Sequence, residues 1–189
     1  MAGARQKVYS SVKTIMFLSI PSTVGLFVLA KPVIQLLFSK EESLDKAAGT
    51  LMALALSVVF YALSTLSNSI LQGIGKVNTP IKNSGIALIV QTLVLVPVLL
   101  WTDLNVYGMA IASTVYSGTM CILNQLAVRK ALKYHQEIRT TFVIPGIASV
   151  IMGLCAWAVY EGIYLFTEAN ILALVVTVPI AMMVYFVLL

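Results

Sequence analysis

Ser57, Tyr61, Ser64, Thr65, Asn68 and Gln72 recur at three- and four-residue spacing inside an otherwise apolar run. On a helix this spacing gathers them into one stripe about 100° wide. Hydroxyls, a phenol and amides in a row offer hydrogen bonds to a polar ligand; they do not make a nucleophile–base pair. In lipid, such a stripe has to face protein or water. Two uses stay open: the wall of a hydrophilic pathway, or polar contacts between packed helices. Asn68 and Gln72 stand closest to the end of the run, where a pathway or gate would meet the cytoplasm. Lys31 is the one charge within an apolar run. It either meets an anionic headgroup or snorkels. It follows Lys13 by 18 residues, roughly 27 Å of helix at ~1.5 Å per residue, which brings it near the far membrane surface.

Other chemistry finds little support. GIGKVNT, Gly73–Thr79, does not fit the GxxxxGK[ST] phosphate loop. The single histidine, His135, lies in a polar linker beside Lys133 and Glu137. Cys121 and Cys155 belong to separate apolar runs, so neither a metal set nor a disulfide framework emerges, and no cofactor is expected. Every acid except Glu137 falls in loops assigned to one side of a membrane, leaving no paired carboxylates within it. A membrane enzyme is therefore not the expected class.

The elements that position these residues follow from composition. The chain has 189 residues, 60% hydrophobic and 10% charged, with mean hydropathy +0.98. Soluble domains are roughly 45–50% apolar and about 25% charged. An all-α polytopic membrane protein is expected, a single membrane domain over residues 1–189. Six apolar runs each approach the ~20 residues that cross the hydrocarbon layer. They are Thr14–Phe38, Ala47–Leu71, Ile81–Trp101, Val106–Val128, Phe142–Tyr160 and Ile171–Leu189. Pro21 and Lys31-Pro32 predict a kink in the first. QGIGKVNTPIKNSG, Gln72–Gly85, is a basic turn punctuated by Gly73, Gly75, Asn78 and Pro80, and reads as a cytoplasmic hairpin. Gly108 with Ala112, Ser113 with Ser117, and Ser149 with Gly153 predict close helix packing. The polar start, Met1–Lys13, argues against a cleaved signal peptide. The final run stops at Leu189 with no polar exit, so the chain is expected to be a fragment or a truncated product.

The charges orient the six spans. One side collects nine basic residues, from Arg5 to Arg139, against Glu137 alone. The other collects Lys31, Lys40 and Lys46 against six acids. The balance of +8 and −3 accounts for the net +5, so the positive charge is a topology signal and no nucleic-acid partner is expected. The lysine and arginine bias predicts both termini in the cytoplasm.

With these residues in view, a family resemblance appears. IPSTVGLFVLAKPVIQLLF (Ile20–Phe38), Tyr61–Gly75 with its QGIGK ending, TPIKNSG (Thr79–Gly85) and YGMAIASTVY (Tyr107–Tyr116) resemble the C-terminal part of polysaccharide flippases. These belong to the MOP exporter superfamily, which includes SpoVB-type proteins and MurJ/MviN lipid II flippases. The resemblance implies the last six of fourteen helices, a bacterial cytoplasmic membrane, and an absent N-terminal lobe. By the same resemblance the first two helices of the C-terminal lobe are absent too, and these missing parts supply much of the central cavity with its charged substrate contacts, so none is carried over here. The implied function is export of polyprenyl-linked saccharide precursors by alternating access. The implied partners are membrane lipid, the lipid-linked saccharide and the missing lobe. The stripe on the second span, with Lys31, supplies the pathway candidates. The last two spans, by resemblance, would form an apolar groove for the lipid tail. The alternatives are a drug/cation antiporter of the same superfamily and a non-transporting membrane scaffold.

Overall fold

The computed structural model describes residues 2–38, 44–102, 104–133 and 139–189. The described residues contain seven α-helices: α1 (Ala2–Val28), α2 (Ala30–Leu37), α3 (Leu44–Gly73), α4 (Asn78–Trp101), α5 (Asn105–Leu132), α6 (Ile144–Thr167) and α7 (Asn170–Leu188). A π-helical turn, Arg139–Val143, leads into α6. Six helices are long and apolar enough to span a membrane; α2 is the short one left over. Neighbours in space run in the order α4, α5, α3, α1, α6, α7, so α1 sits between two subgroups.

The first span departs from its expected limits. Its helix extends back to Ala2, because nothing between Ala2 and Lys13 stops a helix, and the candidate span within it is Gln6–Val28 against an expected start at Thr14. Its break falls at Leu29, and α1 runs continuously through Pro21. Pro21 has no N–H for the carbonyl of Phe17, one turn earlier. The Tyr185 hydroxyl of α7 donates to that carbonyl at 2.8 Å, so the gap is filled from a neighbour. Lys31 accordingly stands on α2, not on a continuous first span.

The α3–α4 hairpin is built as its residues predict. Gly75 has φ +79°, the left-handed conformation that glycine adopts without strain. Around it Gly75 N–H donates to Gln72 O at 3.0 Å and Lys76 N–H to Leu71 O at 2.8 Å. This crossed pair of bonds is a Schellman cap, which satisfies the last free carbonyls of α3. Pro80 sits in the first turn of α4, where its missing N–H costs nothing.

Small residues set the helix spacing. A Cβ built on Gly153 would come within 2.6 Å of Val24 Cγ1, and one on Gly108 within 2.7 Å of Val98 Cγ1. Ala112, Ser117 and Ser149 are fully buried. The close packing read from these spacings is what the structure contains. Interhelical contacts also show which helix ends lie together. Tyr9 and Thr140 hydroxyls share a hydrogen bond at 3.1 Å, and Tyr107 OH donates to Asp45 O at 3.5 Å. Lys7, Lys13, Lys76, Lys82, Arg129, Lys130, Lys133 and Arg139 thus gather at one end of the bundle. Lys31, Asp45, Lys46, Glu161 and Glu168 gather at the other. Lys40, Glu41, Glu42, Ser43, Asp103, His135 and Glu137 lie outside the described residues.

Candidate functional site

Packing cuts the α3 stripe lengthwise. Ser57 and Ser64 are buried, at 5% and 4% exposure, while Tyr61, Thr65 and Gln72 are open. Asn68 lies between, half-buried. The buried edge turns its polar groups to protein: Ser57 Oγ donates to Leu54 O at 2.6 Å, a bond within its own helix. The open edge continues through Ser69 into a groove between α1 and α3. Its volume is about 590 Å³, and Ile15, Ser19, Tyr61, Thr65, Leu66 and Ser69 are among its walls. The groove is mostly hydrocarbon with a line of hydroxyls: Ser19 from α1, and Tyr61, Thr65 and Ser69 from α3. Tyr61 is steadied by Tyr116 of α5, with ring centroids 6.3 Å apart. Such a surface can pass hydrogen bonds along a polar group while its apolar flank stays against lipid.

Asn68 joins a network that the stripe alone does not reveal. Asn83 Nδ2 of α4 donates to Asn124 Oδ1 of α5 at 2.8 Å. Asn124 Nδ2 in turn donates to Asn68 Oδ1 at 2.7 Å. Asn124 has no exposed surface. Three amides therefore link α4, α5 and α3 near the basic end, and Asn68 is both the edge of the open arc and the end of this chain. Asn83 and Asn124 are not among the residues that the sequence singles out. Their signal is present: each is an amide inside an apolar run, and in lipid an amide needs a partner. Nothing in the spacing says that the partners are each other.

Lys31 stands apart from the stripe. Its Nζ lies 3.0 Å from Asp45 Oδ1, with both side chains largely exposed. It also borders a second cavity of about 330 Å³ at the far end of the bundle, between the α1–α2 junction and α6. The seven sequence candidates thus divide into an open groove wall (Tyr61, Thr65), an exposed amide outside that groove (Gln72), a packed edge (Ser57, Ser64), a bridging amide (Asn68) and a separate cation (Lys31).

Comparison with known proteins agrees with this architecture. A family model described as lipid II flippase MurJ matches residues 3–182. A curated protein described as a probable lipid II flippase MurJ, from Aquifex aeolicus (strain VF5), is 25% identical over 186 residues. That match covers 95% of this chain and 35% of the relative, so the chain spans about a third of the relative's length. A solved structure described as lipid II flippase MurJ in an inward closed conformation superposes with a TM-score of 0.77 at 20% identity. It covers 98% of this chain and 38% of that one, and shows the likeness of fold.

Proposed function

The chain belongs to the lipid II flippase MurJ family, and from that premise we propose that it forms the C-terminal part of a flippase for polyprenyl-linked saccharide precursors. The reaction is transport across the cytoplasmic membrane, with no covalent step. Two lobes rock about a cavity that carries the saccharide-pyrophosphate head while the tail stays in lipid. In this reading the open arc of α3 and the facing side of α1 form part of the cavity wall. The observation that carries it is the exposed pair Tyr61 and Thr65, with Ser69 beside them, in a groove that the buried Ser19 borders from α1. Hydroxyls left facing a groove, with others of the same stripe packed away, fit a surface that meets something polar in passing.

The open edge of the stripe and the buried amide network give the test. Residues 1–189 are placed in a full-length relative, and flipping of a fluorescent polyprenyl-pyrophosphate sugar is followed in liposomes. Tyr61→Leu and Thr65→Leu are expected to slow transport about tenfold, the equivalent of roughly 1.4 kcal/mol, with thermal stability unchanged. Asn124→Ala is expected to behave in the opposite way. It strands two amide partners and lowers stability by about 1–2 kcal/mol, near the upper range for polar contacts in membranes, while the folded fraction still transports. Loss of stability in step with transport for Tyr61→Leu and Thr65→Leu would make the open arc a packing surface and overturn the proposal.

Orientation is the second part of the reading: the basic end faces the cytoplasm, with both termini. With Cys121 and Cys155 replaced by alanine, a cysteine at Glu168 is expected to react with an impermeant thiol reagent on intact cells. One at Asn78 is expected to react only after permeabilisation. The reverse pattern inverts every side assignment.

A further inference from the structure

The second cavity is a different kind of site from the groove. It brings Lys31 and Gln35 of α2 together with Trp157, Tyr160, Glu161 and Tyr164 of α6. At about 330 Å³ it has room for roughly ten waters at ~30 Å³ each, enough for a small polar headgroup. Its floor is built rather than incidental. Tyr160 is 6% exposed, and its hydroxyl donates to Asn170 Oδ1 at 3.0 Å. Asn170 Nδ2 donates to Pro32 O at 2.9 Å, so α6, α7 and α2 are locked together beneath the cavity. Tyr160 and Tyr164 stack, with centroids 5.7 Å apart and planes 12° from parallel.

The charges of this cavity are mixed. Lys31 contributes a cation and Glu161 an anion on the opposite wall. Asp45 holds the lysine only from an exposed position, where an ion pair contributes little, and an ammonium has three protons to donate. Trp157 and Tyr164 add open aromatic faces. Aromatic residues of this kind mark the headgroup level of a bilayer. Leu154, 64% exposed one turn closer to the bundle centre, continues an apolar flank from there.

We infer that this cavity binds the headgroup of a phosphoethanolamine lipid from the bilayer. The phosphate takes a charge-assisted bond from Lys31, and the primary ammonium donates to Glu161 and lies against the aromatic faces. The acyl chains run down the exposed flank of α6. The fit to a zwitterion follows from the opposed charges. An anionic headgroup with no amine would leave Glu161 facing negative charge, and a quaternary amine has no N–H to donate to it. The site lies at the end of the bundle away from the Asn83–Asn124–Asn68 network, and the inference does not depend on transport.

The test is native mass spectrometry of the purified 189-residue chain in detergent. Phosphatidylethanolamine, phosphatidylcholine and phosphatidylglycerol of matched acyl chains are added in equal amounts. Phosphatidylethanolamine is expected to be retained over phosphatidylglycerol by roughly fivefold, the scale of one partly exposed ion pair. Glu161→Gln is expected to bring that ratio to about one. Lys31→Ala, at an exposed position, is expected to weaken retention of all three lipids, with circular dichroism unchanged. Equal retention of phosphatidylethanolamine and phosphatidylglycerol by the unaltered chain overturns the inference, as does a ratio that survives Glu161→Gln. Retention of an added polyprenyl-phosphate probe with no discrimination among the three phospholipids also overturns it, in favour of a substrate headgroup.

Discussion

Replacing Gly153 with leucine is expected to separate the two subgroups of the bundle. Gly153 lies on the α1–α6 crossing, where its missing side chain lets Val24 and Val28 of α1 come close. A Cβ there would meet Val24 Cγ1 at 2.6 Å and Val28 Cγ2 at 3.3 Å. Valine on a helix has essentially one χ1 rotamer, so neither side chain can swing aside. The helices must move apart, and the contact they lose is the main one between α6–α7 and the rest. The Tyr185 hydroxyl would lose the Phe17 carbonyl with it. Overpacking in a tight core costs about 1–3 kcal/mol, and leucine at this crossing is expected at the top of that range or above. A Cβ on Gly162, farther along the same helix, would meet nothing within 4 Å, so Gly162→Leu serves as the control. Thermal unfolding of both variants in detergent is the measurement. Equal stability for the two would mean that the crossing tolerates a side chain.

Reconstituted alone, the 189-residue chain is expected to insert and to flip no substrate above empty liposomes. Insertion follows from six long apolar helices with their charges sorted to opposite ends. Transport by alternating access needs a second rigid body to move against. The relative that this chain matches is nearly three times as long, since the match covers 35% of it. Within the described residues the six long helices follow one another in a single order from α4 to α7, and α2 packs against both α3 and α7. A second copy is a poor substitute, because the small-residue faces at Gly108, Ala112, Ser149 and Gly153 are already used inside the chain. The assay follows a fluorescent polyprenyl-pyrophosphate sugar after reconstitution. Flipping clearly faster than in empty liposomes would show that one lobe suffices.

Much of this architecture is written locally. Runs of about twenty apolar residues need no partner to declare themselves, because the cost of leaving backbone groups unpaired in lipid forces each into a helix. The hairpin is equally local: Gly75 supplies the left-handed residue and Pro80 the first turn of the next helix. Charge is legible too, since lysine and arginine sort by side before any helix packs. The first span departs from its local signals for a reason that lies elsewhere in the chain. Pro21 weakens a helix taken alone, yet the carbonyl it frees, on Phe17, is served by a tyrosine 168 residues farther on.

The polar stripe shows where sequence stops. Its period belongs to the α-helix itself, so Ser57, Tyr61, Ser64, Thr65, Asn68 and Gln72 share one face whatever surrounds them. Which edge of that face is open depends on the azimuth at which α5 and α1 settle, and that is set by small residues and crossing geometry on other helices. Packing buried Ser57 and Ser64, left Tyr61, Thr65 and Gln72 open, and joined Asn68 to Asn124 and Asn83. The sequence by itself determined the six membrane helices, their turns and the sorting of charge, because each follows from a few neighbouring residues and the solvent. Only the tertiary structure decided which polar side chains face one another and which face a groove, because that is a relation between helices and no single helix contains it.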